Sequence, residues 1–413
     1  MSFQNNSPER EDPSAKQIFP DNSQNSENAD FLQNQLVTYI GNKRALLDFI
    51  GKGINAVQKA LGKEKLSCFD GFSGTGVVAR YLKQYSSFLA VNDQELYSQL
   101  INHCYLSNKS ELDLSLLQNY HSKLINAVDY DLEQLENSED LKKSSGFIAD
   151  LYSPADEKAI KKSDRCFYTK YNANYLDYCR QNIEKLIPQA LQPFFIAPLL
   201  SEASIHANTA GVFKGFYKNR DTGIGQFGGK AKDALTRITG KIELPFPVLS
   251  NFECKTQIFQ ADTNELVKSE TLYADCPDGV FDLAYFDPPY NQHPYGSNYF
   301  MLNLLASYTR PEEELLSRVS GIPRNWKRSA YNKKKQVMPV FLELIQNVRA
   351  RFVLISFNSE GFIQKDEMLQ LLSECGKVTV MEAKYNTFRG SRNLKARDIH
   401  VKEYLFLLEK SPA

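Results

Sequence analysis

A chain of 413 residues with 42% apolar side chains can bury a large core, enough for one big domain or two ordinary ones. Basic and acidic residues number 49 each, so the formal net charge is zero, and seven dispersed cysteines indicate reduced thiols, not a disulfide framework. No apolar stretch reaches transmembrane length and the polar N-terminus lacks a signal peptide, which argues against the membrane and secreted classes and favours a cytoplasmic protein.

The charge is unevenly distributed along the chain. Residues 1–30 hold six acids against Arg10 and Lys16, so this part carries −4 and the remainder +4. The same part is rich in Ser, Asn and Gln. We therefore predict a disordered polar tail over residues 1–32.

The first motif is a glycine-rich turn between a strand and a helix. Leu66–Phe69 is typical of a short buried strand, and it runs into Asp70-Gly-Phe-Ser-Gly-Thr-Gly76 before a helix from about residue 77 to 84. Gly74 and Gly76 would let a ligand approach the backbone, and the helix N-terminus would present free N–H groups. The turn lacks both the dinucleotide-binding spacing and the lysine of a P-loop, and a plain tight turn remains an alternative.

An acid at the end of the next strand suggests a nucleoside ligand. Phe88–Asn92 is a predicted strand that ends at Asp93, whose carboxylate can accept hydrogen bonds from both ribose hydroxyls. Thr38–Lys43 precedes both motifs and leads into an amphipathic helix, where it can also be read simply as a helix N-terminus.

The most informative motif is the tetrapeptide Asp287-Pro288-Pro289-Tyr290, at the end of the apolar run Phe281–Phe286. An exocyclic amine on a base is a poor nucleophile, so a catalyst must hold its N–H groups with acceptors. Asp287 supplies a carboxylate, and the two prolines fix the Pro288 carbonyl as a second acceptor. Tyr290 can stack on the base. The alternative is a strand end followed by a proline turn.

The predicted strands alternate with helices, which favours a doubly wound parallel α/β sheet with its ligands at the C-terminal ends of the strands. The strands lie near 66–69, 88–92, 256–260, 283–286 and 352–357. Between the second and third of them an insert of roughly 100–250 is too long for a loop and shows helical patterns.

These segments, in this order, resemble the α-class, Dam-like DNA adenine-N6 methyltransferases, which often accompany restriction endonucleases. The resemblance covers most of residues 36–410. It implies a Rossmann-like sheet that depends on S-adenosylmethionine, with an inserted, mainly helical target-recognition domain. It also implies a bacterial, cytoplasmic enzyme that acts on double-stranded DNA beside a separate cognate endonuclease, and one complete site favours a monomer.

The resemblance implies a role for each matched residue. Asp287, Pro288, Pro289 and Tyr290 match the catalytic tetrapeptide, and the expected reaction is base flipping followed by direct in-line transfer to N6, without a metal or a covalent intermediate. The residues that it assigns to the S-adenosylmethionine pocket are Tyr39, Lys43, Asp70, Phe72, Gly74, Gly76, Asp93 and Asp262. Asp262 follows a strand and can equally be a helix cap.

The implied domains are a catalytic domain over 33–99 and 206–413 and a target-recognition domain over 100–205. Basic residues cluster with aromatics at 326–335 and at 385–397, where they can hold phosphates or simply be solvated. The glycine-rich segment 222–230 is either a mobile DNA-contacting loop or a linker.

Three other functions remain open from the residues. Cytosine-N4 methylation uses the same geometry, usually with Ser in place of Asp287. RNA adenine or protein glutamine methylation uses related tetrapeptides, usually beginning with Asn, and does not explain the long insert. A DNA-binding module with a dead methyltransferase fold has no need to keep Gly74, Gly76, Asp93 and Asp287 together.

Overall fold

The computed structural model describes residues 26–33, 37–138, 144–229, 232, 234–386 and 400–411. Its centre is a seven-stranded sheet with the spatial order β3-β2-β1-β4-β5-β7-β6. The strands are β1 Leu66–Asp70, β2 Ser86–Asp93, β3 Lys255–Gln260, β4 Phe281–Phe286, β5 Ala350–Asn358, β6 Gly376–Asn386 and β7 His400–Lys410.

The first five strands are parallel, and β7 runs antiparallel between β5 and β6. Each predicted parallel strand is present, and the α/β Rossmann-like fold class is confirmed. Strands β1 and β4 are buried on both faces, which explains why their sequences are nearly continuous apolar runs instead of alternating ones.

Helices flank the sheet and form the insert. They are α1 Ala29–Gln33, α2 Leu47–Leu61, α3 Val77–Lys83, α4 Leu96–Leu106, α5 Leu114–Glu136, α6 Phe147–Tyr152, α7 Lys170–Leu186, α8 Pro193–Ile205, α9 Leu235–Thr239, α10 Thr263–Leu266, α11 Glu270–Tyr273, α12 Tyr295–Asn298, α13 Phe300–Ser307, α14 Val337–Asn347 and α15 Lys365–Ser373. The helical patterns predicted in the insert, at residues 112–135 and 168–186, correspond to α5 and α7.

Helix α2 illustrates how the sequence sets an element. Leu47, Ile50, Ile54 and Val57 recur at helical spacing and are buried, so one face packs on the sheet. The helix ends at Gly62, whose φ of 63° is the left-handed conformation that glycine adopts without strain. The N-terminal end of α2 lies a few residues after Thr38–Lys43, the segment that reaches the site.

The insert shares its core with the sheet. One continuous apolar cluster includes Leu354 of β5, Ile54 of α2, Leu124 of α5 and Leu176 of α7. A second cluster, with Phe69, Phe286 and Phe341, covers the other face of the sheet. The helical insert is thus packed firmly onto the side of the sheet that carries α2.

Two predicted boundaries fall inside helices of the structure. Helix α4 spans the predicted division at residue 100, and it packs both on α8 of the insert and on β2 and β3. Residues 26–32, placed in the disordered tail, include the start of α1, where Phe31 and Leu32 are buried. Arg80 of α3 donates a hydrogen bond to the Phe31 carbonyl, and residues 1–25 lie outside the described part of the chain.

Two further predictions can be placed only in part. The basic-aromatic cluster at 385–397 falls mostly on residues 387–399, which are outside the described residues. None of the helices within the described ranges combines the length and apolar character needed to cross a membrane.

Candidate active site

A pocket lies at the C-terminal ends of β1, β2 and β4, where parallel strands of an open sheet deliver their loops. Its lining comes from six separate segments of the chain. The lining residues are Tyr39, Ile40, Gly41, Asn42, Lys43, Asp70, Phe72, Ser73, Gly74, Thr75, Val77, Val78, Asp93, Gln94, Glu95, Ala261, Asp262, Thr263, Tyr285, Asp287, Pro289, Tyr295, Gly296, Lys327, Ser329, Tyr331 and Asn332. Of the residues predicted for the site, Gly76, Pro288 and Tyr290 are not in this lining.

The glycine turn after β1 has the conformation that its sequence predicts. Gly74 and Gly76 have φ angles of 52° and 73°, and a Cβ on Gly74 would lie 3.0 Å from the Tyr39 ring. A Cβ on Gly76 would lie 2.6 Å from Asn102 Oδ1. Gly74 therefore holds the backbone close to the pocket, whereas Gly76 allows the turn to pack on α4 and begins α3.

Asp93 is tied to this turn. Its Oδ2 accepts a hydrogen bond from the Gly74 N–H at 2.8 Å, and its Oδ1 accepts one from the Glu95 N–H at 2.9 Å. Burial raises the pKa of Asp93, and these backbone N–H groups oppose that increase. Each carboxylate oxygen has a second lone pair, so Asp93 can still accept a hydrogen bond from a ligand.

Asp70 presents an unsatisfied carboxylate oxygen. Its side chain is fully buried, Oδ1 accepts from the Phe72 N–H at 3.3 Å, and Oδ2 has no hydrogen-bond partner among the described residues. Burial raises the pKa of Asp70 well above its ordinary value, and the charges of Asp287 and Asp93 add to the increase. A buried acceptor without a partner is costly, so a cationic or hydrogen-donating ligand would satisfy it.

Tyr39 lies in an aromatic cluster at the mouth of the turn. Its ring stacks at 4.9 Å on Tyr295 and at 4.5 Å on Tyr299, and its hydroxyl is 2.8 Å from that of Tyr97. Tyr299 is fully buried, and its hydroxyl accepts a hydrogen bond from the Ile40 N–H at 2.7 Å. Tyr295 is part of the pocket lining, whereas Tyr299 is not.

Asp287 has an oxygen without a hydrogen bond and a perturbed pKa. Lys43 Nζ lies 3.3 Å from Asp287 Oδ1, within ion-pair distance, but Oδ1 has no aligned donor among the described residues. Burial raises the pKa of Asp287 to about 7; the charge of Lys43 opposes this increase and the charge of Glu403 adds to it. Asp287 is therefore an acceptor aimed at the pocket whose ionisation falls near neutral pH.

Pro289 lines the pocket, whereas Tyr290 turns toward the sheet. Tyr290 is 8% exposed, its ring lies 5.4 Å from that of Phe357, and Lys43 Nζ lies 5.6 Å from its centroid. A face of this ring has to become accessible before it can stack on a base.

Asp262 is both a helix cap and a residue of the pocket lining, the two alternatives that the sequence left open. Its Oδ1 accepts from the Asn264 N–H at 2.9 Å and caps the short helix α10. It also lines the pocket, and only one of its oxygens is used by the cap.

Residues 327–332, which follow β4 in the chain, cover one side of the pocket. Tyr331 is buried, its ring meets Phe72 edge-on at 5.2 Å, and its hydroxyl donates to Asn264 at 2.8 Å. Asn332 donates to the Asn291 carbonyl at 2.7 Å and so joins this segment to the loop after the tetrapeptide. The exposed Lys327 lies at the rim.

Sequence reasoning missed several residues of the pocket. Glu95 follows Asp93 by two positions, and Asn303 donates to it at 2.5 Å; burial raises the pKa of Glu95 to about 7. Tyr285 is two residues before Asp287, so strand alternation could have placed it on the same face. Glu403, which is outside the lining but contacts Lys43, carries a weaker signal, an acid at the edge of the apolar run of β7.

Comparisons with known proteins identify the family of the chain. The model of the family described as D12 class N6 adenine-specific DNA methyltransferase matches residues 39–371, a range that contains the whole pocket lining. The chain is 29% identical over 384 residues to the Type II methyltransferase M.NlaIII of Neisseria lactamica, covering 91% of this chain and 100% of that protein.

Two more relatives extend the similarity. Identity with the Type II methyltransferase M.CviAII of Paramecium bursaria Chlorella virus 1 is 28% over 376 residues, covering 90% of this chain and 98% of that protein. Identity with the Type II methyltransferase M.FokI of Planomicrobium okeanokoites is 26% over 383 residues, covering 91% of this chain but 53% of that longer protein.

Proposed function

The chain belongs to the D12 class of N6 adenine-specific DNA methyltransferases, and we propose that its pocket binds S-adenosylmethionine beside an adenine extruded from double-stranded DNA. The observation that carries this proposal is the buried carboxylate of Asp287, whose Oδ1 lacks an aligned hydrogen-bond donor among the described residues, in the same pocket as Asp70 and Asp93. Bound S-adenosylmethionine would supply the electrophilic methyl group for transfer.

The lining suits a cationic nucleoside cofactor. Five acids, Asp70, Asp93, Glu95, Asp262 and Asp287, face the pocket against Lys43 and Lys327, which complements a sulfonium and an ammonium group. The unpaired Asp70 Oδ2 offers an acceptor to the methionine ammonium. Asp93 offers acceptors to the ribose hydroxyls and the free oxygen of Asp262 one to the adenine.

Two parts of the turn fit the same cofactor. The side-chain-free surface of Gly74 lets the methionine end lie against the backbone, in a space that a Cβ would fill. Tyr39 and Phe72 both contribute aromatic surface to the pocket. Gly76 contributes by shaping the turn and the start of α3.

Asp287 and the Pro288 carbonyl act on the target amine. Asp287 Oδ1 accepts one N6–H, the Pro288 carbonyl accepts the other, and the nitrogen lone pair is left to point at the methyl group. Asp287 accepts most strongly when ionised, so transfer requires a pH near or above its pKa. Holding the amine in this orientation is the main contribution of these residues to the rate. Stacking of the base on Tyr290 stays a prediction.

Basic groups around the pocket mouth fit the DNA backbone. Lys327 is exposed at the rim, and three further lysines follow at 333–335. In the loop after the tetrapeptide, burial and the nearby charge of Lys214 lower the pKa of His293. We assign phosphate contacts to these residues, because such contacts fix the position of a protein on a duplex.

The insert is assigned to target recognition. Its glycine-rich end is folded, since Asn219 and Gln226 exchange backbone hydrogen bonds with Ile224 and Tyr217. The Asn208 side chain holds this hairpin by donating to the Gln226 carbonyl at 2.8 Å and accepting from the Gly228 N–H at 3.1 Å. This hairpin at the end of the insert carries Lys218 and Arg220, which we assign to DNA contacts.

A role in restriction and modification is proposed from the relatives. They are named as Type II methyltransferases and modification methylases, and such an enzyme protects DNA from an endonuclease of the same specificity. We expect the partner endonuclease to be a separate protein.

The test is transfer of labelled methyl from S-adenosylmethionine to unmethylated genomic DNA, with nucleoside analysis of the product. Wild-type protein should form N6-methyladenine. In Asp287→Ala the rate of transfer should fall by at least about 100-fold, whereas the affinity for the cofactor should stay within about twofold of wild type. Formation of N4-methylcytosine, methylation of RNA only, or cofactor binding without any transfer would each overturn the proposal.

A further inference from the structure

The buried carboxylate of Glu403 holds the ammonium group of Lys43. Lys43 Nζ donates to Glu403 Oε1 at 2.6 Å, and Ser356 Oγ donates to the same oxygen at 2.8 Å. Glu403 is 2% exposed and Lys43 4%. A hydrogen bond between ionised groups is roughly twice as strong as one between neutral groups, so Lys43 is fixed in this position.

Lys43 stands between two carboxylates and lies closer to Glu403. The distance from Nζ to Asp287 Oδ1 is 3.3 Å, compared with 2.6 Å to Glu403. No well-aligned donor reaches Asp287 Oδ1 among the described residues. The contact of Lys43 with Asp287 is therefore the longer ion pair of the two, and it opposes the effect of burial on the pKa of Asp287.

The sheet register explains why residues so distant in sequence meet. Glu403 on β7 pairs with Asn358 of β5, and Ser356, two positions earlier, lies on the same face of β5. The neighbouring strand β4 ends at Asp287. Lys43 enters above this face from the segment before α2, 360 positions from Glu403 in the chain.

We propose that Glu403 is a positioning residue for methyl transfer: supported by Ser356, it holds Lys43 closer to itself than to Asp287 and so leaves the Asp287 carboxylate able to accept from the N6 amine. This inference rests on the proposed function of the pocket. Without Glu403, Lys43 would form a charge-assisted hydrogen bond to Asp287. The neutral amine of an adenine is a weaker donor and would have to displace it.

Several titratable groups face Asp287 from the elements packed around it. They are Lys43 before α2, Glu403 on β7, Asp70 on β1, Tyr285 on β4 and Tyr295 on α12. Burial is the main cause that raises the pKa of Asp287, and Glu403 adds to it by repulsion while Lys43 opposes it. Neutralising Glu403 removes that repulsion and frees Lys43, so both effects lower the pKa of Asp287.

Glu403→Gln and Glu409→Gln test the proposal together, because both remove one negative charge from β7 but Glu409 is exposed. Initial rates with DNA are measured from pH 5.5 to 9, with KM for DNA, kcat, cofactor affinity and melting temperature. In Glu403→Gln we expect the acidic limb of kcat/KM to move to lower pH by about one pH unit. We expect KM for DNA to rise severalfold more than kcat falls, and the control to match wild type.

Ser356→Ala keeps the carboxylate and removes one of its two donors, so it should move the limb in the same direction by less. This variant keeps the test decisive if Glu403→Gln does not fold. If either variant folds and its acidic limb of kcat/KM stays at the wild-type pH while the rate falls equally at every pH, the role of Glu403 is merely structural. That result overturns the inference. Failure of wild-type protein to form N6-methyladenine is a different result, which overturns the proposed function itself.

Discussion

The backbone N–H of Gly74 donates a hydrogen bond to Asp93 Oδ2 at 2.8 Å. This bond joins the turn after β1 to the end of β2, so the surface assigned to the methionine end and the acid assigned to the ribose form one unit. Gly74 has a φ of 52°, and a Cβ there would lie 3.0 Å from the Tyr39 ring. Substitution at Gly74 should therefore affect the backbone, Asp93 and Tyr39 at once.

Gly74→Ala should weaken cofactor binding by about tenfold or more, because the methyl group displaces Tyr39 and the left-handed conformation costs roughly 1–2 kcal/mol for a residue with a Cβ. Gly62→Ala is the matched control. Gly62 has a φ of 63°, but no atom lies within 4 Å of its would-be Cβ. Calorimetry of S-adenosylmethionine binding and melting temperatures should show strain in both variants and lost affinity only in Gly74→Ala. Equal affinities would contradict this assignment of Gly74.

Activity should depend on pH through Asp287. Since burial raises its pKa to about 7, kcat/KM for DNA should fall toward tenfold per pH unit below about pH 7 and level off above it. Glu95 has a pKa raised to about 7 by burial in the same pocket, so Glu95→Gln serves as the control. The fall of kcat/KM below about pH 7 should persist in Glu95→Gln. If this fall disappears in Glu95→Gln, the ionisation belongs to Glu95 instead.

Asp287 should also reduce the stability of the fold at alkaline pH. An acid whose folded pKa is raised from 3.8 to about 7 favours the unfolded state increasingly as pH rises between those values, and the cost is complete above about pH 7. Asp287→Asn should therefore raise the free energy of unfolding at pH 8, by on the order of 1–4 kcal/mol, and little at pH 4.

Asp221→Asn, at an exposed loop position, is the control for that measurement. Its effect on denaturant unfolding should be small and the same at both pH values. A destabilised Asp287→Asn protein at pH 8 would show that the ionised carboxylate is favourable in the fold, contrary to the prediction.

Lys327 should contact a DNA phosphate. Lys327→Ala is expected to reduce the slope of log affinity against log salt by about 0.9, the contribution of one contact to B-DNA. Lys59→Ala removes an exposed charge near the far end of α2, about 20 Å along the helix from the site. Fluorescence titrations at several salt concentrations should give a wild-type slope for Lys59→Ala, and a wild-type slope for Lys327→Ala as well would remove Lys327 from the interface.

The sequence by itself determined the parallel sheet and the residues at its strand ends. Short apolar runs followed by Asp70, Asp93 and Asp287 predict strands with acids at their C-terminal ends, because strand and turn preferences depend on neighbouring residues. Parallel strands then bring those ends to one edge. The common location of these acids was predictable for this reason, whereas their roles in catalysis and binding remain predictions.

Only the tertiary structure decided which groups around these acids are already paired. The contact of Lys43 with Glu403 depends on a C-terminal strand inserted antiparallel beside β5, and no local pattern encodes a partner 360 positions away. The burial that raises the pKa of Asp287 likewise comes from packed elements and not from its neighbours in sequence. The packing of α4 on both α8 and the strands β2 and β3 likewise depends on tertiary contacts that no local pattern encodes.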